Sequence, residues 1–287
     1  MTDPVLSVVV PNFNGGRFLE DLLTQLRDID GRERLEVLVM DGGSSDNSAE
    51  IAHALVHRHD VVISQPDDGQ ADAIAKGLEL ATGKWFMYQN SDDLFNIPVL
   101  EEFLLEEARF EGFDIVAFDQ AVSEIVSGNW RTYLAFAHTH PIFFQQLSQN
   151  IYYTNQSTVY LTEKARSIGF DEAKQFAMDY DFVVRFFRTM RPSVATVRKV
   201  LGVQRLHPDT KTSNMGDVCA AETAEIRNME FSTLDCVFGA LKATVYHFDK
   251  RVRSLFNRRL QKLDFPLAED FRQSIDINAN NELVKGK

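Results

Sequence analysis

Only two of the 287 residues are cysteine, Cys219 and Cys236. They are too few and too far apart for a disulfide framework or a zinc knuckle, and read as reduced thiols of a cytoplasmic chain. No apolar run approaches the roughly 20 residues that a membrane-spanning helix needs. The first residues, Met1-Thr2-Asp3-Pro4, lack the basic region and apolar stretch of a signal peptide, so none is expected. Basic charge is also short. With 30 Lys and Arg against 42 Asp and Glu the net charge is −12, which argues against nucleic-acid binding, since that requires a basic face to displace counterions. The first loop, Asn14-Gly15-Gly16, has no G-x-G-x-x-G, which ranks a nicotinamide-dependent oxidoreductase low. The expected location is cytoplasmic, at most peripheral on the inner face of the cell membrane.

What is present is a repeated strand, loop and helix. Leu6 to Val10 is a β-branched run closed by Pro11, then Asn12-Phe13-Asn14, then a helix with Phe18, Leu19, Leu22, Leu23 and Leu26 on one face. Leu35 to Met40 is a second strand, followed by the loop Asp41 to Asp46 and a helix over Asn47 to Arg58. Val61 to Ser64 is a third, followed by Gln65 to Gln70 and a helix through Leu80. The fourth strand, Lys84 to Gln89, is mostly aromatic or apolar and runs through Asn90 and Ser91 into Asp92 and Asp93. This alternation predicts an α/β fold with a doubly wound, mainly parallel sheet, whose ligands lie beyond the carboxyl ends of the strands. Every polar loop falls at such an end, so Asn12, Asn14, Asp41, Asp67, Asp68, Asp92 and Asp93 are expected to share one crevice. Taken singly, each is a loop acid or a helix cap.

Further along, Pro98 to Phe110 reads as a helix, Asp114 to Phe118 as a strand, and Gln120 to Leu134 as antiparallel strands. Residues 135–154 form a lobe without clear periodicity. Asn155 to Leu161 holds a short strand, and Thr162 is expected to cap the next helix. Asp72 and Lys76, four apart, predict a surface pair. In the run Met178 to Phe187, Asp179 shares a helical stripe with Phe182, Val183 and Phe186 and should face inward, either as a cap or as a general base. Asp181 lies on the opposite face, four before Arg185, and predicts a solvated ion pair. Strands over Val194 to Val197 and Val200 to Leu206 precede His207, which is either structural or a ligand for metal or phosphate. Asp217 to Phe231 reads as helical. Residues 242–263 carry seven Lys or Arg against Asp249, a local +6 that leaves −18 for the rest of the chain. With Phe238, Leu241, Val245, Phe248, Val252, Leu255 and Phe256 spaced three or four apart, the segment reads as basic amphipathic helix that packs on the core or meets an anionic membrane surface.

The motifs Ser7 to Asn14 (SVVVPNFN), Asp41 to Ser48 (DGGSSDNS), Asp67 to Gly77 (DDGQADAIAKG), Gly83 to Asp93 (GKWFMYQNSDD), Met178 to Arg185 (MDYDFVVR) and Arg205 to Lys211 (RLHPDTK) occur in the order seen in family 2 glycosyltransferases, and residues 5–212 resemble that family. The resemblance implies a GT-A fold with a small acceptor-side lobe and C-terminal helices. Residues 1–119 would form the nucleotide-sugar half, 120–215 the acceptor and catalytic-base half, and 216–287 basic helices with a polar tail. It further implies a metal-dependent, inverting transfer from a nucleotide-diphosphate sugar, UDP being the usual one, to a saccharide or lipid-linked acceptor in cell-surface polysaccharide synthesis. Pro11, Asn12, Phe13, Asn14, Asp41, Asp67, Gln70 and Asp92 would hold the nucleotide, Asp93 and Asp92 with His207 a Mg²⁺ or Mn²⁺, Gln156 the acceptor side, and Asp179 the proton. Three departures stand out. Asn90 replaces the first acid of an Asp-x-Asp pattern, Met178 a frequent Glu and Ile74 a frequent Asn, which keeps open a catalytically inactive nucleotide-binding subunit.

Overall fold

The computed structural model describes residues 4–126, 129–136, 144–149, 151–208, 210–211 and 215–256. Among them, nine strands form one sheet. The parallel half consists of β1 (Leu6–Asn12), β2 (Leu35–Asp41), β3 (Val61–Ser64) and β4 (Trp85–Tyr88), in the order β3-β2-β1-β4. Beyond β4 the pairing becomes mixed. β5 (Leu94–Phe95), β6 (Ile115–Val126), β7 (Asn129–Phe136), β8 (Thr158–Leu161) and β9 (Val194–Leu206) follow in the chain. β8 lies antiparallel to both β4 and β6, β6 runs parallel to β9, and β7 forms an antiparallel ribbon with β6.

Residues alternate across each strand, so a strand buried on both faces reads as a continuous apolar run. Val8, Val10, Trp85 and Met87 enter the core layer under α1 (Gly16–Arg27) and α4 (Ile97–Glu106). Val9, Phe86 and Tyr88 enter the opposite layer, under α3 (Gln70–Leu80) and α7 (Met178–Met190). Ile74 is fully buried there. The remaining helices are α2 (Ser48–Leu55), α5 (Phe144–Leu147), α6 (Thr162–Ile168), α8 (Gly216–Glu230) and α9 (Thr233–Phe256). The irregular lobe expected over 135–154 lies partly outside the described residues; what is described of it is the end of β7, α5 and the segment before β8.

Several local expectations are corrected. Asp72 and Lys76 do pair at 2.7 Å, but Asp72 is buried because it also accepts the Asp68 N–H ahead of α3. Asp181 and Arg185 pair at 2.7 Å, and Asp181 too is buried rather than solvated: α6 lies against that face of α7, where Arg185 also donates to the Ile168 and Gly169 carbonyls at the end of α6. Thr162 does not cap its helix; its hydroxyl donates to the Gly83 carbonyl and ties α6 to the loop before β4. The two strands expected over 194–206 are one, with its register against β6 shifting around Asp119. Cys219 and Cys236 are free thiols, and no helix among the described residues is long and apolar enough to cross a membrane.

Gly202 of β9 allows the close approach on which the site depends. A Cβ there would lie 2.0 Å from the Gln156 carbonyl oxygen, inside any tolerable contact and against backbone that cannot swing away. Replacing Gly202 with Ala should therefore cost about 1–3 kcal/mol or more by overpacking, measured by urea denaturation, and should displace the turn that bears Gln156.

A carboxylate-lined cavity at the strand ends

At the carboxyl ends of β1 and β4 the sheet opens into a cavity of about 1000 Å³. Its wall includes Pro11, Asn12, Phe13, Asn14, Asp67, Gln70, Asp92, Asp93, Gln156, Asp179 and His207, so eleven of the twelve site residues expected from the sequence come together. Asp41 is the exception. It lies behind the wall, 2% exposed, and its carboxylate accepts from the Asn12 amide (2.8 Å), the Ser44 hydroxyl (2.5 Å), the Ser44 N–H (3.1 Å) and the Ser64 hydroxyl (2.6 Å). Burial alone would raise its carboxyl, but these donors outweigh that and hold it below the usual range. Asp41 thus organises the Asn12 and Ser44 loops. Phe13, in contrast, is exposed at the mouth, beside Asn14 in the left-handed region at φ 51°.

Asp92 and Asp93 leave the end of β4 in different environments. Asp93 is 1% exposed; one carboxylate oxygen accepts the Arg205 backbone N–H at 2.9 Å, the other the Gln156 amide at 2.8 Å and the Asn90 amide at 3.3 Å. Burial, followed by the adjacent Asp92 charge, pushes its carboxyl well above the ordinary range. Asp92 is more open to the cavity and shares a 3.1 Å hydrogen bond with Nε2 of His207, whose ring rests on Phe18 with centroids 4.5 Å apart. Asn90 is bound at both ends, its carbonyl accepting from Gln70 at 2.7 Å while its amide donates to Asp93. An acid there could not make the second bond. Gln156 is held likewise, donating to Asp93 and accepting from Gln120 at 3.1 Å.

Magnesium is commonly held by one or two carboxylates plus substrate phosphates rather than by an all-protein cage. Asp92 and Asp93 fit that mode. They supply two adjacent carboxylates, one facing the cavity and the other buried where a cation would relieve its repulsion. No cluster of three His, Cys, Asp or Glu side chains able to hold an ion occurs among the described residues.

Asp179, in the first turn of α7, lines the same cavity. Its Oδ1 accepts the Tyr180 N–H at 2.7 Å, yet burial dominates and raises its carboxyl to about 6. Tyr88, on the end of β4, is close enough for the Asp179 charge to add to burial in raising its phenol. A carboxyl poised near neutrality, in a cavity large enough for a small ligand, can take a proton from a bound hydroxyl.

Sequence reasoning assigned no role to Arg205, Lys211 or Glu222. Arg205 is 2% exposed; its guanidinium donates to the Asp92 carbonyl and, at 2.8 Å, to Asp21 of α1, and lies 4.7 Å from the Phe18 ring centre. It thereby fixes the Asp92-Asp93 turn against the first helix. The segment it opens, Arg205 to Lys211, stood out as a motif, but nothing local to it pointed to partners in α1 and after β4. Lys211 lines the cavity and donates to the Gln175 carbonyl at 3.3 Å. Glu222 lies outside the cavity and contacts the segment before α7.

Known proteins resemble this chain in sequence and in fold. YibD of Escherichia coli, an uncharacterized glycosyltransferase, is 33% identical over 116 residues, covering 38% of this chain and 32% of that protein. A PGL/p-HBAD biosynthesis glycosyltransferase of Mycobacterium tuberculosis is 27% identical over 193 residues, covering 65% and 71%. Among solved structures, Staphylococcus aureus TarS residues 1–349 in complex with UDP-GlcNAc superimposes with a TM-score of 0.60 at 18% identity, over 82% of this chain and 69% of that one. The chain therefore has the GT-A fold. Residues 7–173, more than half of the sequence, match the profile described as glycosyl transferase family 2, and the chain belongs to that family.

Proposed function

We propose that the cavity transfers a hexose, with inversion, from a UDP-linked sugar to a hydroxyl of a saccharide or lipid-linked saccharide, as a step in cell-surface polysaccharide synthesis. The observation that carries this reading is the meeting of Asp179, Asp92 and Asp93 on the wall of one cavity, with Asp179 raised to about 6. The base and ribose would lie against Pro11 to Asn14, Asp67 and Gln70, behind which Asp41 braces Asn12. Asp92 and Asp93 would hold Mg²⁺ or Mn²⁺, which when bound supplies the positive charge that a departing diphosphate requires. His207 orients Asp92 from the opposite side. Asp179 takes the proton of the attacking hydroxyl, a contribution of about 10²–10⁴ in rate.

The C-terminal helix extends the reading. α9 packs on α5 through Gly239, where a Cβ would meet the Gln145 carbonyl oxygen at 2.1 Å, and through Ala243. On its other face Leu234, Val237, Phe238 and Leu241 are 68%, 52%, 53% and 60% exposed. They fall three or four apart, as one stripe. The excess of seven Lys or Arg over one acid within 242–263, in a chain otherwise at −18, supports an anionic lipid surface as the occupant of that stripe.

Four outcomes are expected. Thermal denaturation should shift upward with UDP-sugars, and by more when Mn²⁺ is added; no response to any nucleotide sugar would overturn the assignment. Asp179→Asn should lose at least about 10²-fold in turnover while keeping donor affinity by calorimetry, and wild-type turnover should fall as pH drops through about 6, where the base becomes protonated. The same substitution carries a stability signature. A carboxyl raised from 3.8 to about 6 in the folded state stabilises fully below 3.8 and loses that contribution as pH rises through 6, so the Asn variant should be more stable than wild type at pH 7.5 by about 1–3 kcal/mol. Finally, the protein should sediment with phosphatidylglycerol vesicles at low salt and less so at high salt, and Phe238→Asp should abolish this; vesicle-independent dimerisation through the same face would refute lipid docking.

A further inference from the structure

The sequence leading into α7 lacks a cap. Ala177 occupies the position where Ser, Thr, Asp or Asn would satisfy the first free N–H groups, and its side chain has no acceptor. The N–H groups that are held from outside are those of 175–177, just before the helix, and their acceptor comes from α8, some 45 residues later. Glu222 Oε1 accepts the Gln175 N–H at 2.8 Å, and its Oε2 accepts those of Phe176 and Ala177 at 3.0 and 2.7 Å. Burial works against the charge, yet these three donors outweigh it and hold the Glu222 carboxyl below its ordinary value. A second α8 carboxylate, Glu225, pairs with Lys174 at 2.8 Å. From the cavity side, Lys211 donates to the Gln175 carbonyl. α8 itself is anchored by the buried Ile226 and by Arg227, which donates to the Gln149 carbonyl at 3.0 Å.

Glu222 does not touch the cavity, but what it grips does. Phe176, Met178 and Asp179 all line the wall, and Asp179 lies only two residues beyond the last N–H that Glu222 holds. We infer that Glu222 is a positioning residue, contributed by a helix beyond the family-matched segment, which sets the start of α7 and thereby the location of the Asp179 carboxylate in the cavity that Asp92 and Asp93 also line. This rests on the reading of Asp179 as the base. Lys174 and Lys211 are the cations facing Glu222, and Tyr88 and Tyr160 are the titratable groups facing Asp179.

The test uses the full-length protein carrying Glu222→Ala, Glu222→Gln or Asp179→Asn. UDP release is followed with Mn²⁺ and the UDP-sugar that most raises the melting temperature. Amide hydrogen exchange is read over residues 174–181, and the Asp179 carboxyl is titrated by ¹³C resonance. Glu222→Ala should speed exchange at 175–177 at least tenfold, lower kcat at least tenfold with the donor KM within about twofold, and shift the Asp179 titration. Glu222→Gln, which keeps one carbonyl acceptor, should recover part of each. Accelerated exchange with unchanged kcat and an unchanged Asp179 titration would reduce Glu222 to a structural cap and overturn the inference, as would unchanged exchange. If Asp179→Asn turns over like wild type, the base reading itself fails; if that variant is inactive while Glu222→Ala is normal, only the positioning inference fails.

Discussion

The site is assembled around a carboxylate that water hardly reaches. Asp93 draws a donor from the loop after β4, one from the turn before β8 and one from the backbone of β9, and so ties three pieces of chain that are far apart in sequence. A buried carboxylate with fewer partners would be too costly to retain. With three it pins the parallel half of the sheet to the mixed half at the point where the cavity opens. Arg205 extends the pin to α1 through Asp21 and Phe18, so the Asp92-Asp93 turn is held from both sides.

A second carboxylate lines the same cavity. Burial raises the Asp179 carboxyl to about 6, while hydroxyl and amide donors hold that of Asp41, behind the wall, below the usual range. The same side chain therefore titrates differently in one wall and behind another. The difference lies in how many donors each fold segment supplies, a property of neighbours distant in sequence.

That distinction marks how far the sequence could be read. The parallel half was legible because local periodicity dictates it: Leu6 to Val10, Leu35 to Met40 and the helix faces of α1 and α3 follow from spacing alone. The convergence of Asn12, Asp67, Asp92 and Asp93 was legible too, since parallel strands bring their carboxyl ends to one edge. Burial of Asp72 and Asp181 was not, because each sits in a pattern that reads as a solvated pair, and only packing from other elements removes the water. Nor was the role of Arg205 or Glu222, whose partners lie 45 to 184 positions away. Asn90 looked like a defect in a motif; in the fold it is a double-ended tie between Gln70 and Asp93.

β4 sits at the seam of the sheet, parallel to β1 on one side and antiparallel to β8 on the other, and so is clamped along both edges. The acids that follow it inherit that rigidity. Any adjustment of the wall to a bound ligand therefore falls to the segment at 175–177, which is tied by the side chains of Glu222 and Lys211 instead of a strand ladder. The cavity is thus unequally braced: a stationary anvil at the seam of the sheet, and a wall before α7 held from outside by a neighbouring helix.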